Sequence, residues 1–262
     1  MIRGKLALEA KRFEEAAAEF RKAIESDQGG IAAYVNLGGT LTQLGDLTGA
    51  AGQFEKALRL DPNNFTAHFN LAVLAAKNSQ HQQAVEHLKT ALTTNQNDLE
   101  TRMFLARELS KSNRLDEAIL EFGRAHESDP GNEAAMIELA QLLQNRGEFK
   151  AALVLLEKSH AQYPQKINTR LMLTFALAAS PQIDLRDGPR ALKLAQEMYA
   201  INPSLQNGTL VVLSLAEVGR CSDAAEVQRK LIEEAGKQSN QELLEKLKAD
   251  LSRYENVRTC RQ

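Results

Sequence analysis

The fold is decided by residues 34–62, YVNLGGTLTQLGDLTGAAGQFEKALRLDP, which recur in altered form at residues 68–96, HFNLAVLAAKNSQHQQAVEHLKTALTTNQ. The offset between the two segments is 34 residues, and it recurs along the chain. Alanine returns in this frame at Ala50, Ala84, Ala118 and Ala152, and leucine returns at Leu37, Leu71, Leu105, Leu139 and Leu173. Internal periods of about 20 to 50 residues are typical of proteins built from one repeated supersecondary element. The sequence therefore predicts a repeat protein.

Each repeat is predicted to contain two helices joined by a tight turn. In the repeat that starts at Phe65, the first helix is expected to end near Lys77, and the second to run from about Gln82 to Thr93. The turn carries Gly45, Ser79, Asn113 and Gly147 in successive repeats. Residues suited to cap the next helix recur at Asn64, Asp98 and Asn132. Because one such pair cannot bury its apolar face alone, neighbouring pairs must stack and share a core.

The pattern resembles the tetratricopeptide repeat family over nearly the whole chain. The residues that carry the match are Tyr34, Leu37, Gly38, Leu41, Gly45, Ala50, Phe54, Ala57 and Pro62, then Leu105, Ala106, Ala118, Phe122, Ala125 and Pro130, then Leu139, Ala140, Gly147, Ala152 and Pro164. The resemblance implies an all-α fold, a right-handed α-solenoid of about seven antiparallel helix pairs plus a C-terminal capping helix. Arg186-Asp187-Gly188, followed by Ala191 and Leu194, looks like a variant of bacterial members, which implies a bacterial origin.

The repeats divide the chain into successive segments. The predicted segments are a first, slightly truncated repeat at 1–30, four regular repeats at 31–166, a sixth repeat with an inserted turn at 167–203, a seventh at 204–238, and a capping helix with a tail at 239–262. Met1 falls inside the first helix of this frame, so either that helix is frayed or the chain is part of a longer protein. Ala191 lies 39 residues after Ala152, which places five extra residues around Pro181 to Arg186, in a binding loop or a plain surface turn. The last helix, Gln241 to Asn256, is interpreted as a cap, with a partner-binding helix as the alternative.

Composition and motifs give no support for catalysis. The formal net charge is −2, with acidic and basic side chains interspersed, so nucleic acid is not an expected partner. No apolar stretch is long enough to form a transmembrane segment. The histidines lack metal-ligand spacing and are each interpreted as lone surface or packing residues: His68, His81, His87, His126 and His160. No catalytic residue, metal site or cofactor is therefore predicted, and the chain is not expected to be an enzyme.

Candidate binding residues follow from the resemblance, which implies a concave groove lined by the first helices of the repeats. An apolar ladder at the same period, either groove surface or packing between helices, consists of Val35, Phe69, Met103, Ile137 and Leu171. Asn36 and Asn70 carry amides that can pair with an extended peptide backbone, and Lys77, Arg107 and Lys111 favour an acidic residue in the ligand. The candidate peptide-binding residues are Val35, Asn36, Phe69, Asn70, Lys77, Met103, Arg107, Lys111, Ile137 and Gln141.

The predicted function is a non-catalytic scaffold that binds a peptide or protein segment in this groove. Two alternatives stay open. The chain is the substrate-positioning repeat arm of a larger enzyme, such as a glycosyltransferase, or it is a self-assembling structural module. The expected partner is a protein or peptide with acidic residues, and the sequence leaves the oligomeric state open.

The two cysteines, Cys221 and Cys260, bear on the compartment. If the last helix folds back on the preceding one, with its turn at about residues 237–240, the two thiols can meet and form a disulfide. The alternative is two unrelated thiols, with Cys221 as a small apolar filler and Cys260 on the tail. A disulfide would indicate an oxidising compartment, and hence an exported or periplasmic protein, whereas free thiols leave the cytoplasm as the expected location.

Overall fold

The computed structural model describes residues 1–26, 29–237, 241–255 and 260, and the regular structure of these residues is helical. The chain forms two compact units, Met1–Ser128 and Asp129–Gln262. The first unit contains α1 (Ile2–Glu9), α2 (Phe13–Glu25), α3 (Gly30–Gln43), α4 (Leu47–Leu60), α5 (Phe65–Lys77), α6 (His81–Thr94), α7 (Leu99–Lys111) and α8 (Leu115–Ser128). The second unit contains α9 (Glu133–Asn145), α10 (Phe149–Gln162), α11 (Ile167–Ala179), α12 (Gly188–Ile201), α13 (Leu205–Glu217), α14 (Cys221–Lys237) and α15 (Gln241–Glu255). The all-α prediction is confirmed.

In every helix pair of the described residues except the sixth, the tight turn contains a residue in the left-handed region. The residues and their φ angles are Lys11 at 56°, Gly45 at 81°, Ser79 at 59°, Asn113 at 59°, Gly147 at 80° and Gly219 at 79°. The predicted turn positions are therefore confirmed, and the same conformation occurs in the first repeat, at Lys11, and in the seventh, at Gly219. At Ser79 the geometry of the repeat overrides the preference of a residue that carries a Cβ atom, since the same turn recurs in the neighbouring pairs.

The predicted capping residues stand directly before their helices and accept hydrogen bonds from the first turns. The bonds run from the backbone N–H of Ala67 to Asn64 Oδ1 at 3.1 Å, of Thr101 to Asp98 Oδ1 at 2.8 Å, and of Ala135 to Asn132 Oδ1 at 3.0 Å. Asp187 caps α12 in the same way, accepting from the backbone N–H of Arg190 at 3.1 Å. These side chains satisfy N–H groups that the helix itself leaves without an acceptor.

The core of each unit is built from a large side chain on the second helix of a pair and a small residue on the first helix. The large residues are fully buried at the same spacing: Phe20, Phe54, Leu88, Phe122 and Leu156. A Cβ atom added at Gly38 would lie 2.6 Å from the Phe54 ring. The glycine therefore lets the two helix backbones approach until the ring fills the space between them.

The inserted turn of the sixth repeat is attached to its neighbours by hydrogen bonds. It contains a 3₁₀ turn at Ile183–Leu185, between α11 and α12. The Arg186 guanidinium donates to the Ser180 carbonyl at 2.7 Å and to Glu217 Oε2 on α13 at 3.0 Å. The Arg186 and Glu217 side chains are 15% and 9% exposed, so this ion pair is largely shielded from water. The turn is therefore fixed to α13.

The last helix, α15, packs on α14. Gln228 Nε2 donates to the Leu247 carbonyl at 2.8 Å, and Leu247 and Tyr254 are buried. This packing agrees with the expectation that the last helix folds back on the preceding one, whereas residues 238–240 of the predicted turn and Asn256 lie outside the described residues.

The Sγ atoms of Cys221 and Cys260 lie 2.18 Å apart, which is a disulfide distance. In the part of the chain that the structure describes, no helix has the length and apolarity needed to span a bilayer.

Candidate functional site

A groove of about 470 Å³ opens in the second unit, between the first helices of its repeats and α15. Its apolar lining consists of Leu171, Met172 and Phe175 from α11, Leu210 and Leu213 from α13, and Leu243 and Leu247 from α15. Its polar lining consists of Gln141, Gln144, Gln206, Thr209, Lys246 and Asp250. We call this cavity the second-unit groove.

Two of the helices present matching stripes to the groove. From α13 come residues 206, 209, 210 and 213, and from α15 come residues 243, 246, 247 and 250. Residues three and four positions apart lie on one face of an α-helix, so each stripe is a single face. The helix α15 therefore does more than cover the last pair, because it also supplies a wall of the groove.

Phe175 is the most accessible apolar residue in this lining, with 48% of its surface exposed. Single exposed apolar residues are common on proteins, but a half-exposed aromatic ring beside other apolar side chains in a cavity is typical of a binding surface. Burial of this ring by a partner would remove apolar area from water, which stabilises a complex by about 25 cal/mol per Å².

Lys246 and Asp250 are the charged residues in the lining of the groove. Asp250 lies 3.9 Å from the Arg253 guanidinium on the next turn of α15. The Lys246 side chain is exposed, and it makes no hydrogen bond or ion pair with the residues that the structure describes. The groove therefore presents an ammonium group that forms no ion pair with the described residues.

Eight of the ten predicted binding residues belong to the first unit, and none of these eight lines this cavity. Val35 and Asn36 are half-buried there, and the Phe69 ring centroid is 6.1 Å from that of Phe65. The Asn70 amide donates to the carbonyl of Thr66 in its own helix at 2.8 Å. The role of these residues in ligand binding stays a prediction.

The prediction that Met103 lies on an accessible surface is wrong, because Met103 is only 7% exposed. Its side chain belongs to the packing between helices, which was the alternative for the apolar ladder. Lys77, Arg107 and Lys111 are exposed, and Lys111 Nζ lies 2.7 Å from Glu108 Oε1. That pairing already neutralises part of the positive charge expected for an acidic ligand.

The remaining two predicted residues lie in the second unit. Ile137 is half-buried and packs against the apolar cluster around Met136 and Leu156, so it contributes to the core. Gln141 is exposed and lines the second-unit groove. It is the predicted binding residue that the structure places in this cavity.

Three family models match the sequence in separate segments. A tetratricopeptide repeat model matches residues 1–29, a TPR repeat model matches 38–79, and a second tetratricopeptide repeat model matches 109–171. The chain is a tetratricopeptide repeat protein. The sequence has no significant match among curated proteins, and the bacterial origin stays a prediction.

Solved structures share the fold of this tetratricopeptide repeat protein. A crystal structure of MamA is 19% identical, with a TM-score of 0.57, and the match covers 63% of this chain and 96% of that one. For MamA from Desulfovibrio magneticus RS-1, residues 41 to the end, the identity is 20%, the TM-score 0.55, and the coverage 63% and 93%. YrrB, described as a TPR protein with an unusual peptide-binding site, is 22% identical, with a TM-score of 0.58 and coverage of 76% and 97%. At these identities the likeness shows the fold alone.

Sequence reasoning missed the contribution of α15 to the groove of this repeat protein. The signal was present, because residues 243, 246, 247 and 250 have the same spacing as 206, 209, 210 and 213 on the first helix of the preceding pair. The interpretation of α15 as a cap accounts only for the face that packs on α14. The adjoining face, which borders the groove, contains Lys246.

His68 and His87 contact each other and are packing residues, which was one of the two roles expected for the histidines. The Nδ1 atoms of His68 and His87 are 3.0 Å apart, and His68 Nε2 lies 2.9 Å from the carbonyl oxygen of Pro62. The pKa of His87 is lowered from its ordinary value, first because burial disfavours the charged imidazolium and second because His68 repels it. Among the described residues, no group of three histidine, cysteine or acidic side chains could hold a metal ion.

The lowered pKa of His87 predicts a loss of stability in acid. Below about pH 6.5 the unfolded chain takes up more protons at this residue than the folded chain does. The contribution of neutral His87 to the free energy of unfolding is therefore fully present above this pH, and it is lost as the pH falls through the lowered pKa of the folded state. We expect the urea midpoint of the wild-type protein to decrease more between about pH 7.5 and about pH 5 than that of His87→Gln, which has no such group to protonate. Equal decreases would contradict the assignment.

Proposed function

We propose that this tetratricopeptide repeat protein is a non-catalytic scaffold that binds a peptide segment of a partner protein in the second-unit groove. The observation that carries the proposal is the half-exposed Phe175 among the apolar side chains of the groove. The cavity volume of about 470 Å³ falls within the range of roughly 300–1,000 Å³ that is typical of ligand sites. The repeats and the fold shared with YrrB, which is described as having a peptide-binding site, support a peptide as the ligand class.

The apolar lining specifies the hydrophobic part of the ligand. The apolar lining residues come from three helices, so a segment lying in the groove contacts α11, α13 and α15 together. Large apolar side chains at regular spacing are the anchors by which segments dock into such grooves. The amides of Gln141, Gln144 and Gln206 can donate to and accept from the backbone of the bound segment. The ligand is therefore a segment with at least two large apolar residues.

The charge of the groove specifies the polar part of the ligand. Lys246 is exposed and unpaired among the described residues, so a carboxylate on the ligand would supply the missing negative charge. Charge complementarity of this kind contributes more to selectivity and association rate than to total affinity. We infer that an aspartate or glutamate lies next to the apolar anchors in the bound segment.

Selection of peptides tests this proposal. From a random phage-displayed peptide library, the full-length protein is expected to select segments that combine large apolar residues with an acidic residue. Lys246→Glu should lower the affinity for a selected peptide by about tenfold, since reversal of an exposed charge beside the ligand costs on the order of 1.4 kcal/mol. The affinity is measured by fluorescence polarisation with the labelled peptide.

Lys248→Glu is the matched control. Lys248 is exposed on the same helix, pairs with Glu245 at 3.1 Å and does not line the groove, so its reversal should leave the affinity within about twofold. Failure of the protein to select any peptide would overturn the proposal, and so would equal affinities of the two variants.

A further inference from the structure

A second cavity, of about 240 Å³, lies under the inserted turn of the sixth repeat. Its apolar lining includes Phe149 and Leu153 from α10, Phe175 and Ala179 from α11, and Pro181 and Leu185 from the turn. None of its lining residues carries a charge. We call this cavity the turn pocket.

The turn pocket adjoins the second-unit groove. Phe175 and Gln144 line both cavities, so the Phe175 ring stands at their common boundary. A side chain of a segment bound in the groove can therefore enter the turn pocket beside this ring. This continuity connects the pocket to the proposed peptide site.

The pocket exists because of the insertion. In the regular repeats a three-residue turn with one left-handed residue, such as Gly147, connects the two helices. The five extra residues of the sixth repeat place Pro181 and Leu185 beside the end of α11, where they close one side of the pocket. The insertion therefore gives this repeat a cavity wall that the three-residue turn of a regular repeat cannot supply.

The wall is held in place before any ligand arrives. The Arg186 guanidinium donates to the Ser180 carbonyl and to Glu217, and the Asp187 backbone N–H donates to the Leu177 carbonyl at 2.9 Å. A preformed pocket does not have to be ordered on binding, so more of the contact energy appears as affinity.

We propose that the turn pocket is a specificity pocket that takes one large apolar side chain, preferentially phenylalanine, from the peptide in the second-unit groove. This inference rests on the proposed function and names the side chain that the groove selects. The uncharged lining excludes charged residues, since burial of an unpaired charge is costly. Apolar cavities of about 150 Å³ already accommodate benzene, and the rings of Phe149 and Phe175 offer edge and face contacts to an aromatic ring.

The test uses a peptide selected on the wild-type protein, together with a version in which its anchor phenylalanine is alanine. We expect the wild-type protein to prefer the phenylalanine peptide by at least about tenfold. Ala179→Leu fills the turn pocket without altering a groove residue, so it should reduce this preference to about twofold or less and leave the affinity for the alanine peptide unchanged. The control Ala134→Leu, at an exposed position of α9 outside both cavities, should retain the full preference.

A second variant covers the case in which Ala179→Leu does not fold, as judged by circular dichroism. Leu185→Ala widens the pocket and should shift the preference at the anchor position from phenylalanine towards tryptophan by at least about threefold. An unchanged preference in a folded Ala179→Leu protein overturns the inference, as does the absence of this shift in Leu185→Ala. Because Lys246→Glu tests the groove separately, a groove that binds peptides without the turn pocket is distinguishable from a groove that binds none.

Discussion

Replacement of Phe122 with alanine is expected to lower the free energy of unfolding by about 3–5 kcal/mol, the usual cost of truncating a fully buried aromatic side chain. Phe122 is 1% exposed and belongs to the series of large residues that fill successive helix pairs. Each repeat contacts only its neighbours in an array of this kind, so few other contacts can compensate for the lost ring. The effect is measured by urea denaturation followed by circular dichroism.

Leu120→Ala is the matched control for this prediction. Leu120 lies two positions away on the same helix and is 51% exposed. Its truncation should change the free energy of unfolding by no more than about 0.5 kcal/mol. Similar losses in the two variants would show that burial does not determine how much these side chains contribute to the free energy of unfolding. That result would contradict the assignment of the core.

Replacement of Cys260 with serine is expected to lower the free energy of unfolding by about 3–4 kcal/mol, because a disulfide with Cys221 closes a loop of about 40 residues and restricts the unfolded chain. The two residues are 39 positions apart in sequence, their Cα atoms are separated by 5.9 Å, and both are buried. This loop contains α15, so the cross-link would fasten the chain beyond that helix to the start of α14. The helix α15, which forms a wall of the groove, would then be connected to α14 through the chain at one end and through the disulfide at the other.

A dithiol reductant provides the control for the cysteine prediction. Reduction should bring the wild-type midpoint down to that of Cys260→Ser and should leave the variant unchanged, since the variant has no bond to reduce. Thiol titration of denatured protein that was purified without reductant decides whether the bond forms. Two free thiols would remove both the predicted stabilisation and the argument for an exported protein.

The sequence by itself determined the repeat, its tight turns and its helix caps. The spacing of 34 residues located the tight turns at Gly45, Ser79, Asn113 and Gly147, and all four have positive φ angles. The same spacing located the capping residues at Asn64, Asp98 and Asn132. These features were predictable because each depends on a few neighbouring residues and recurs, so that several copies support every assignment.

Only the tertiary structure decided which side chains form a site. Met103 and Gln141 were both assigned to the groove by register, yet the first is buried and the second lines a cavity. The groove depends on α15, and the turn pocket depends on an insertion held by Arg186, so neither feature belongs to the repeated pattern. A helical period fixes the face on which a residue lies, but accessibility depends on what packs against that face. At the sixth repeat and beyond, those neighbours differ from the ones that the regular repeats provide.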